Sequence, residues 1–278
     1  MPTQIYIFSV GINTYTLCIG LALLAGMVVA LWPLRASHER RSQALTGWLV
    51  IAGMTMAAGR AGYVLLHLDY FSEHVQEVIS AASPGIWEHA AIVGAVVGWW
   101  IVRRVSRPVS GMALVVSAGL IGIGASLGCI PHGCAYGREV FWTEGWTWAL
   151  RADWPDAYTV NNPRLPTQVF MIIWLLSMIL VIAVRKMRAM MRQGMSTRNG
   201  TTYASSLASY DGVVFEATLI IAWVVLFAVG DFAIQFVRAD VQPTINGWRW
   251  SQCADMVLLV ASILSLIVVK IRLSTVRR

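Results

Sequence analysis

Apolar runs too long for the helices of a globular domain recur along the chain, separated by short polar segments. A membrane-spanning helix needs about 20 mainly apolar residues. Seven stretches approach or exceed that length: 7–33, 44–68, 86–102, 109–130, 166–184, 213–236 and 251–271, the third being the shortest. The pattern predicts an all-α integral membrane protein, a single membrane domain of seven transmembrane helices spanning 1–278. The one sizeable block between spans, 131–165, is rich in Gly, Pro, Trp and acidic residues. It is too short to bury a core of its own and is expected to rest on the bundle as a small outer-face cap. Segment 69–85 is expected to include an interfacial helix with Phe71, Val75, Val78 and Ile79 on one side, and 193–212 reads as a cytoplasmic loop. Tryptophans crowd the span ends (Trp99, Trp100, Trp142, Trp146, Trp148, Trp248 and Trp250), as interfacial anchors do.

Composition agrees with this class. Hydrophobic residues make up 57% and charged residues only 13%, with a mean hydropathy of +0.64, whereas soluble domains carry roughly 25% charged residues. The net charge of +7 reads as topology and implies no nucleic-acid partner. Of the 21 basic residues, 15 fall in four clusters: Arg35/Arg40/Arg41, Arg103/Arg104/Arg107, Arg185/Lys186/Arg188/Arg192/Arg198 and Lys270/Arg272/Arg277/Arg278. Each cluster follows or separates apolar runs, while the alternate segments 69–77 and 139–156 are acidic. Basic segments stay in the cytoplasm, so the N-terminus is expected outside and the C-terminus inside. The first span lacks a basic n-region and a small-residue cleavage site, so it is expected to be retained.

Polar groups inside the apolar runs carry the chemistry. A charge at mid-bilayer costs roughly 2.5–3.5 kcal/mol on insertion scales, so each needs a reason. The set is Tyr15, Arg60, Glu88, His89, Glu216, Asp231, Gln235, Gln252 and Asp255, with Gln168 at the start of the fifth span. The expected topology places most of them toward the outer face; Glu216 is the exception. Asp231, Gln235 and Arg238 are spaced to share one helical face. A polar cavity opening toward the outer leaflet is the expectation. Cys129, His132 and Cys134 fall within six residues at its mouth. Two thiolates and an imidazole suit zinc or copper, while a surface disulfide or two inert thiols account for the same spacing.

Several motifs recur in the order of a known family. IFSVG at 7–11 precedes Tyr15; AAGRAGYVLL at 57–66 is close to GGRxGYVLF; His89 stands before a small-residue run and a pair of arginines. SLGCIPHGCAYGR at 126–138 aligns with a signature of the form GRxGNFxNGExxG, PRLPTQ at 163–168 with PRHPSQ, GDFAIQFVR at 230–238 with GRFxxEFxR, and WRWSQ at 248–252 with the MGQ segment. In these motifs the chain resembles the prolipoprotein diacylglyceryl transferases, nearly end to end. The resemblance implies transfer of a diacylglyceryl group from a phospholipid, phosphatidylglycerol in the family, to a lipoprotein cysteine thiol. The setting would be the outer face of a bacterial inner (plasma) membrane, with lipoprotein signal peptides as partners, no cofactor or metal, and a monomer.

By the same resemblance His89 would act as the base, with Tyr15 orienting the histidine or the substrate. Arg60, Gly137, Arg164, Gln168, Asp231, Gln235, Arg238 and Gln252 would form the substrate site. The chain departs from the family pattern at phosphate-binding positions: Ser126 and Asp231 replace arginines, Cys129 an asparagine and Gln235 a glutamate. A catalytically inactive member acting as a lipid- or peptide-binding accessory protein is therefore the alternative. Two further expectations follow. Asp231 and Arg60 should face one cavity and neutralise each other, favouring a headgroup other than a bare anionic phosphate. His89→Ala should abolish turnover while leaving the fold intact.

Overall fold

A computed structural model describes residues 4–7, 10–31, 38–79, 85–105, 109–197 and 205–276. Phe8 and Ser9 of the first motif, Arg35, Arg107, Arg198, Arg277 and Arg278 of the basic clusters, and 198–204 of the expected cytoplasmic loop lie outside the described residues.

The chain opens not as a helix but as a β-hairpin, β1 (Gln4–Ile7) paired antiparallel with β2 (Val10–Asn13). Asn13 ends it and caps the first helix, its Oδ1 accepting from the Tyr15 amide at 2.9 Å. Helix α1 (Thr14–Leu31) therefore starts later than residue 7. Then follow α2 (His38–Leu66), the short α3 (Leu68–Glu73), α4 (Glu88–Val105), α5 (Gly111–His132), the single turn α6 (Trp146–Ala149), α7 (Thr167–Thr197), α8 (Ser205–Gln235) and α9 (Trp250–Val276). Among the described residues six helices are long and apolar enough to cross a membrane: α1, α2, α5, α7, α8 and α9. The third expected span, α4, is not among them; its 18 residues include Glu88, Arg103 and Arg104. Both ends of the expected loop 193–212 are helical. The Arg185–Gln193 run of Arg, Lys, Met, Ala and Gln has strong helix propensity and carries α7 onward past its apolar part.

Close packing comes from glycines at four-residue spacing. Gly94 and Gly98 bring α4 against α2: a Cβ on Gly94 would lie 2.5 Å from the Met54 carbonyl. Gly124 and Gly128 do the same for α5 on α1, with a Gly128 Cβ 2.8 Å from Tyr15 Cα. Such small-x-x-x-small faces are how apolar helices associate where lipid removes the hydrophobic drive. The remaining core gathers Trp48, Trp99, Leu175, Trp223 and Phe227. Large exposed apolar side chains such as Leu21, Leu24, Leu180, Leu264 and Ile271 form the surface lipid would cover. Glu216 finds its reason here, because it pairs with Arg103 and ties α8 to α4 near the ends where α4 stops and α8 begins.

Two small hairpins sit beside the site: β3 (Ala152–Pro155) with β4 (Asn161–Arg164), and β5 (Thr244–Ile245) with β6 (Trp248–Arg249). The 131–165 segment docks through backbone bonds, Arg138 N–H to Val237 O at 2.8 Å and Ala239 N–H to Tyr136 O at 2.9 Å. Within 69–85, Phe71 is buried while Val75 and Ile79 are exposed, so those residues do not share one buried face.

Candidate functional site

Helices α4, α8 and α9 converge on a histidine flanked by carboxylates. His89, the second residue of α4, is 2% exposed, and its Nε2 lies 2.9 Å from Asp255 Oδ1 of α9, the ring N–H donating. The same nitrogen is 3.7 Å from Asp231 Oδ2 of α8, and Nδ1 is 3.8 Å from Glu88 Oε1. Asp231 and Asp255 are 1% and 0% exposed. Gln235, one turn beyond Asp231, donates its amide to Asp231 Oδ2 at 3.0 Å. Nδ1 of His89, Oδ1 of Asp231, Oδ2 of Asp255 and Oε1 of Gln235 are all buried without a hydrogen-bond partner. Polar atoms in that state are rare and costly.

Glu88 and Asp231 line a cavity of about 500 Å³, together with Tyr15, His67, Gln168 and Arg238. His89 is one side chain behind the wall. Tyr15, Glu88, Gly122, Ala125, Leu175 and Phe227 also border a second chamber of about 170 Å³, otherwise walled by apolar side chains such as Trp48, Ile92 and Leu114. A polar chamber thus shares a wall with an apolar one.

The sequence-predicted residues separate into three places. Tyr15, Gln168, Asp231 and Arg238 line the cavity, and His89 and Gln235 stand directly behind Asp231. Arg60 belongs elsewhere. Its Nε donates to Val78 O at 2.7 Å, its NH1 to Gly85 O at 3.2 Å and its NH2 to Glu77 O, so it organises the loop after α3. The expected neutralisation of Asp231 by Arg60 gives way to pairing with His89, because the loop carbonyls draw the guanidinium off. Arg164 is likewise turned into the cap, where Glu139 and Asp156 hold it at 2.8 and 3.0 Å over the Tyr136 ring.

Arg238 does not continue the α8 face of Asp231 and Gln235, since the helix ends at Gln235. It bonds Asp240 with both Nε (2.9 Å) and NH2 (2.5 Å), and Arg249 reaches the same carboxylate at 3.2 Å. Burial acts against the Arg238 charge, but the bonds and the charge of Asp240 outweigh it and hold the guanidinium above its ordinary range. Burial likewise favours protonation of Asp240, and Arg238 and Arg249 overcome it, keeping the carboxyl below the usual range. Gln252 caps this arrangement by accepting from the Arg249 amide at 3.1 Å.

Cys129 and Cys134 are joined in a disulfide. Of the readings open for the Cys/His cluster, the metal-thiolate one is thereby closed, because neither sulfur is a thiolate. Both cysteines and His132 line the cavity. Gly133 ends α5 in the left-handed region (φ 61°) and lets the chain double back. Gln168 donates to Cys134 O at 2.8 Å and Thr167 to Ala135 O, which pins this turn to α7. Gly137 forms a bridge with Arg238 where the cap meets the bundle.

Sequence reasoning assigned no site role to Asp255, Glu88 or Asp240. Asp255 had a readable signal, being an acid in an otherwise uncharged apolar run three residues after Gln252. Asp240 had none, since its importance comes from two arginines that only folding brings to it.

Comparison with known proteins adds an independent line. A family model described as prolipoprotein diacylglyceryl transferase matches residues 2–269. A phosphatidylglycerol–prolipoprotein diacylglyceryl transferase of Cupriavidus metallidurans is 26% identical over 63% of this chain and 70% of its own length. The protein of the same name from Cupriavidus pinatubonensis is 27% identical over 61% of this chain and 62% of its own.

Proposed function

The chain belongs to the prolipoprotein diacylglyceryl transferase family, and on that premise we propose that it transfers a diacylglyceryl group from a membrane phospholipid to the cysteine thiol of a lipoprotein signal peptide. Its apolar helices and its family make it a multi-pass bacterial membrane protein. The observation that carries the proposal is the shared wall between the polar and the apolar chamber. An amphiphile with acyl chains on one side and a polar ester on the other fits such a pair of spaces. The reacting ester then lies beside Glu88 and Asp231, with the His89–Asp255 couple behind them.

In this reading Asp255 fixes the Nε2–H tautomer of His89, leaving Nδ1 basic. The thiol gives up its proton to this site. Sulfur attacks the terminal glycerol carbon of the diacylglyceryl group, and the carbon–oxygen bond to phosphate breaks, releasing the donor's headgroup as its phosphate monoester, glycerol phosphate where phosphatidylglycerol is the donor. Tyr15 is placed to orient the substrate at the junction of the chambers. Gln168 shapes the wall, Gly137 joins the cap to Arg238, and Gln235 and Gln252 hold Asp231 and Arg249. Arg60 and Arg164 support the surrounding loops.

Among the described residues Arg238 is the one arginine on the cavity wall, and Asp240 engages it twice. That favours a donor whose headgroup is not a bare anionic phosphate. It also favours, as a second reading, an accessory protein that binds lipid without transfer. The test is purified protein in mixed micelles with a single-cysteine signal peptide and either phosphatidylglycerol or a zwitterionic phospholipid as donor. The expected product is a peptide carrying a thioether-linked diacylglyceryl group, formed from the zwitterionic donor at least as readily. Retained lipid with no modified peptide from either donor would reject transfer in favour of binding.

The basic clusters support an N-terminus outside and a C-terminus in the cytoplasm, with the seven-span frame including α4 as the third crossing and the 131–165 cap on the outer face. Alkaline phosphatase fused after Arg278 should be inactive, and fused within 145–155 active. The reverse pattern would reject the orientation.

A further inference from the structure

We propose that Glu88, His89 and Asp231 form a binding site for a divalent transition-metal cation of the zinc class, open toward the cavity. Each residue offers one ligand atom, and the three atoms lie within 4.8 Å of one another. Zinc holds nitrogen and oxygen ligands at about 2.0–2.2 Å, which sets neighbouring ligands about 3.4 Å apart. The Nδ1 contact of His89 with Glu88 Oε1, at 3.8 Å, is a few tenths of an ångström longer, while the 3.7 Å approach of Asp231 Oδ2 is to the other ring nitrogen, so the Asp231 carboxylate must turn toward Nδ1 to complete the site. Glu88, with a side chain 42% exposed, has room to close the gap.

Charge balance points the same way. Two buried carboxyl groups, Asp231 and Asp255, share one buried imidazole, and Glu88 adds a third at the cavity edge. Buried charges require a counter-charge. The unpartnered atoms identify where it belongs: Nδ1 of His89 and Oδ1 of Asp231 are both buried and without a hydrogen bond. The supporting contacts are those of a metal site. Asp255 accepts the other ring N–H of His89 and so presents Nδ1 as a ligand, and Gln235 holds Asp231 Oδ2 and leaves Oδ1 available.

Because Glu88 and Asp231 both line the cavity, the remaining coordination position faces the space where a substrate thiol would enter. This last step rests on the transferase reading. A thiol that coordinates there loses its proton to solvent at the cavity mouth and is held as a thiolate. His89 then serves as a ligand and not as the base.

Cobalt(II) is the probe. Full-length protein in detergent micelles, treated with chelator and dialysed, should bind one equivalent of cobalt with visible ligand-field absorption and release it to zinc. Glu88→Gln and Asp231→Asn should each weaken binding at least tenfold, and Asp255→Asn by about 10–100-fold. Glu88→Gln, at a partly exposed position, keeps the comparison interpretable if a buried variant fails to fold. Absence of stoichiometric cobalt binding by the wild type, or unchanged affinity in folded Glu88→Gln, would overturn the site. Adding a single-cysteine signal peptide should then produce a sulfur-to-cobalt charge-transfer band that the serine peptide does not. Cobalt binding without that band would overturn the thiolate step alone. Cobalt binding with the band but without lipid transfer would instead fault the transferase reading.

Discussion

Replacement of His89 by alanine is expected to abolish transfer and to destabilise the bundle as well. The sequence alone suggests an intact fold for this variant, but the structure leads elsewhere. His89 is the cationic or hydrogen-bonding partner of Asp255 at 2.9 Å and of Asp231 at 3.7 Å, with both carboxylates almost wholly buried. Removing one member of a buried pair leaves an uncompensated charge and typically costs about 3–5 kcal/mol. Without the imidazole neither carboxyl group keeps its partner, and the geometry of the site is lost. His89→Gln, which retains a donor toward Asp255, should recover much of the stability and none of the transfer. Thermal unfolding in micelles and the peptide transfer assay measure the two effects separately. Full transfer by a folded His89→Ala protein would take His89 out of the chemistry, whether as base or as ligand.

Gly137→Ala should be strongly damaging for a change of one methyl group outside the helices. A Cβ at this position would stand 2.2 Å from the Leu165 carbonyl oxygen, which is backbone and has little freedom to move. Gly137 also bridges to Arg238, while Arg138 on one side exchanges bonds with Val237 and Leu165. An added methyl would therefore push apart the three segments that seal the cap on the bundle. Overpacking of this kind costs about 1–3 kcal/mol, sometimes more. The expected result is a melting temperature lower by several degrees, with faster amide exchange in 136–140 and 163–165. Gly145→Ala serves as the control, since a Cβ there meets nothing within 4 Å, although its φ of 62° adds backbone strain. Because Gly137 is not in the left-handed region, a cost no larger than that of Gly145→Ala would show that the close approach at Gly137 is relieved cheaply.

Much of the architecture is legible in one dimension because a bilayer constrains the chain locally. Apolar length marks six helices long enough to cross a bilayer among the described residues. The order of motifs from 7–11 to 248–252 pointed to the family that the 2–269 match shows. His89, Asp231 and Gln235 could be singled out because an ionisable or polar group in an apolar run needs a partner. Helix ends were less legible. Asn13 starts α1 through a cap, and strong helix formers carry α7 to Thr197, both local effects that apolar length does not report.

The partners of the polar groups were decided only in three dimensions. Spacing aligned Arg238 with Asp231, yet α8 stops at Gln235 and Arg238 turns to Asp240. Arg60 and Asp231 both suited one cavity, yet loop carbonyls hold the first and His89 meets the second. Asp255 lies 166 residues from the histidine it supports. Sequence determines which residues must be satisfied, because burial cost depends on the residue and the membrane around it. Tertiary structure decides who satisfies them, because hydrogen bonds act over about 3 Å. Contacts that short depend on the rotation and approach of whole helices, which here are set by glycines such as Gly94 and Gly124.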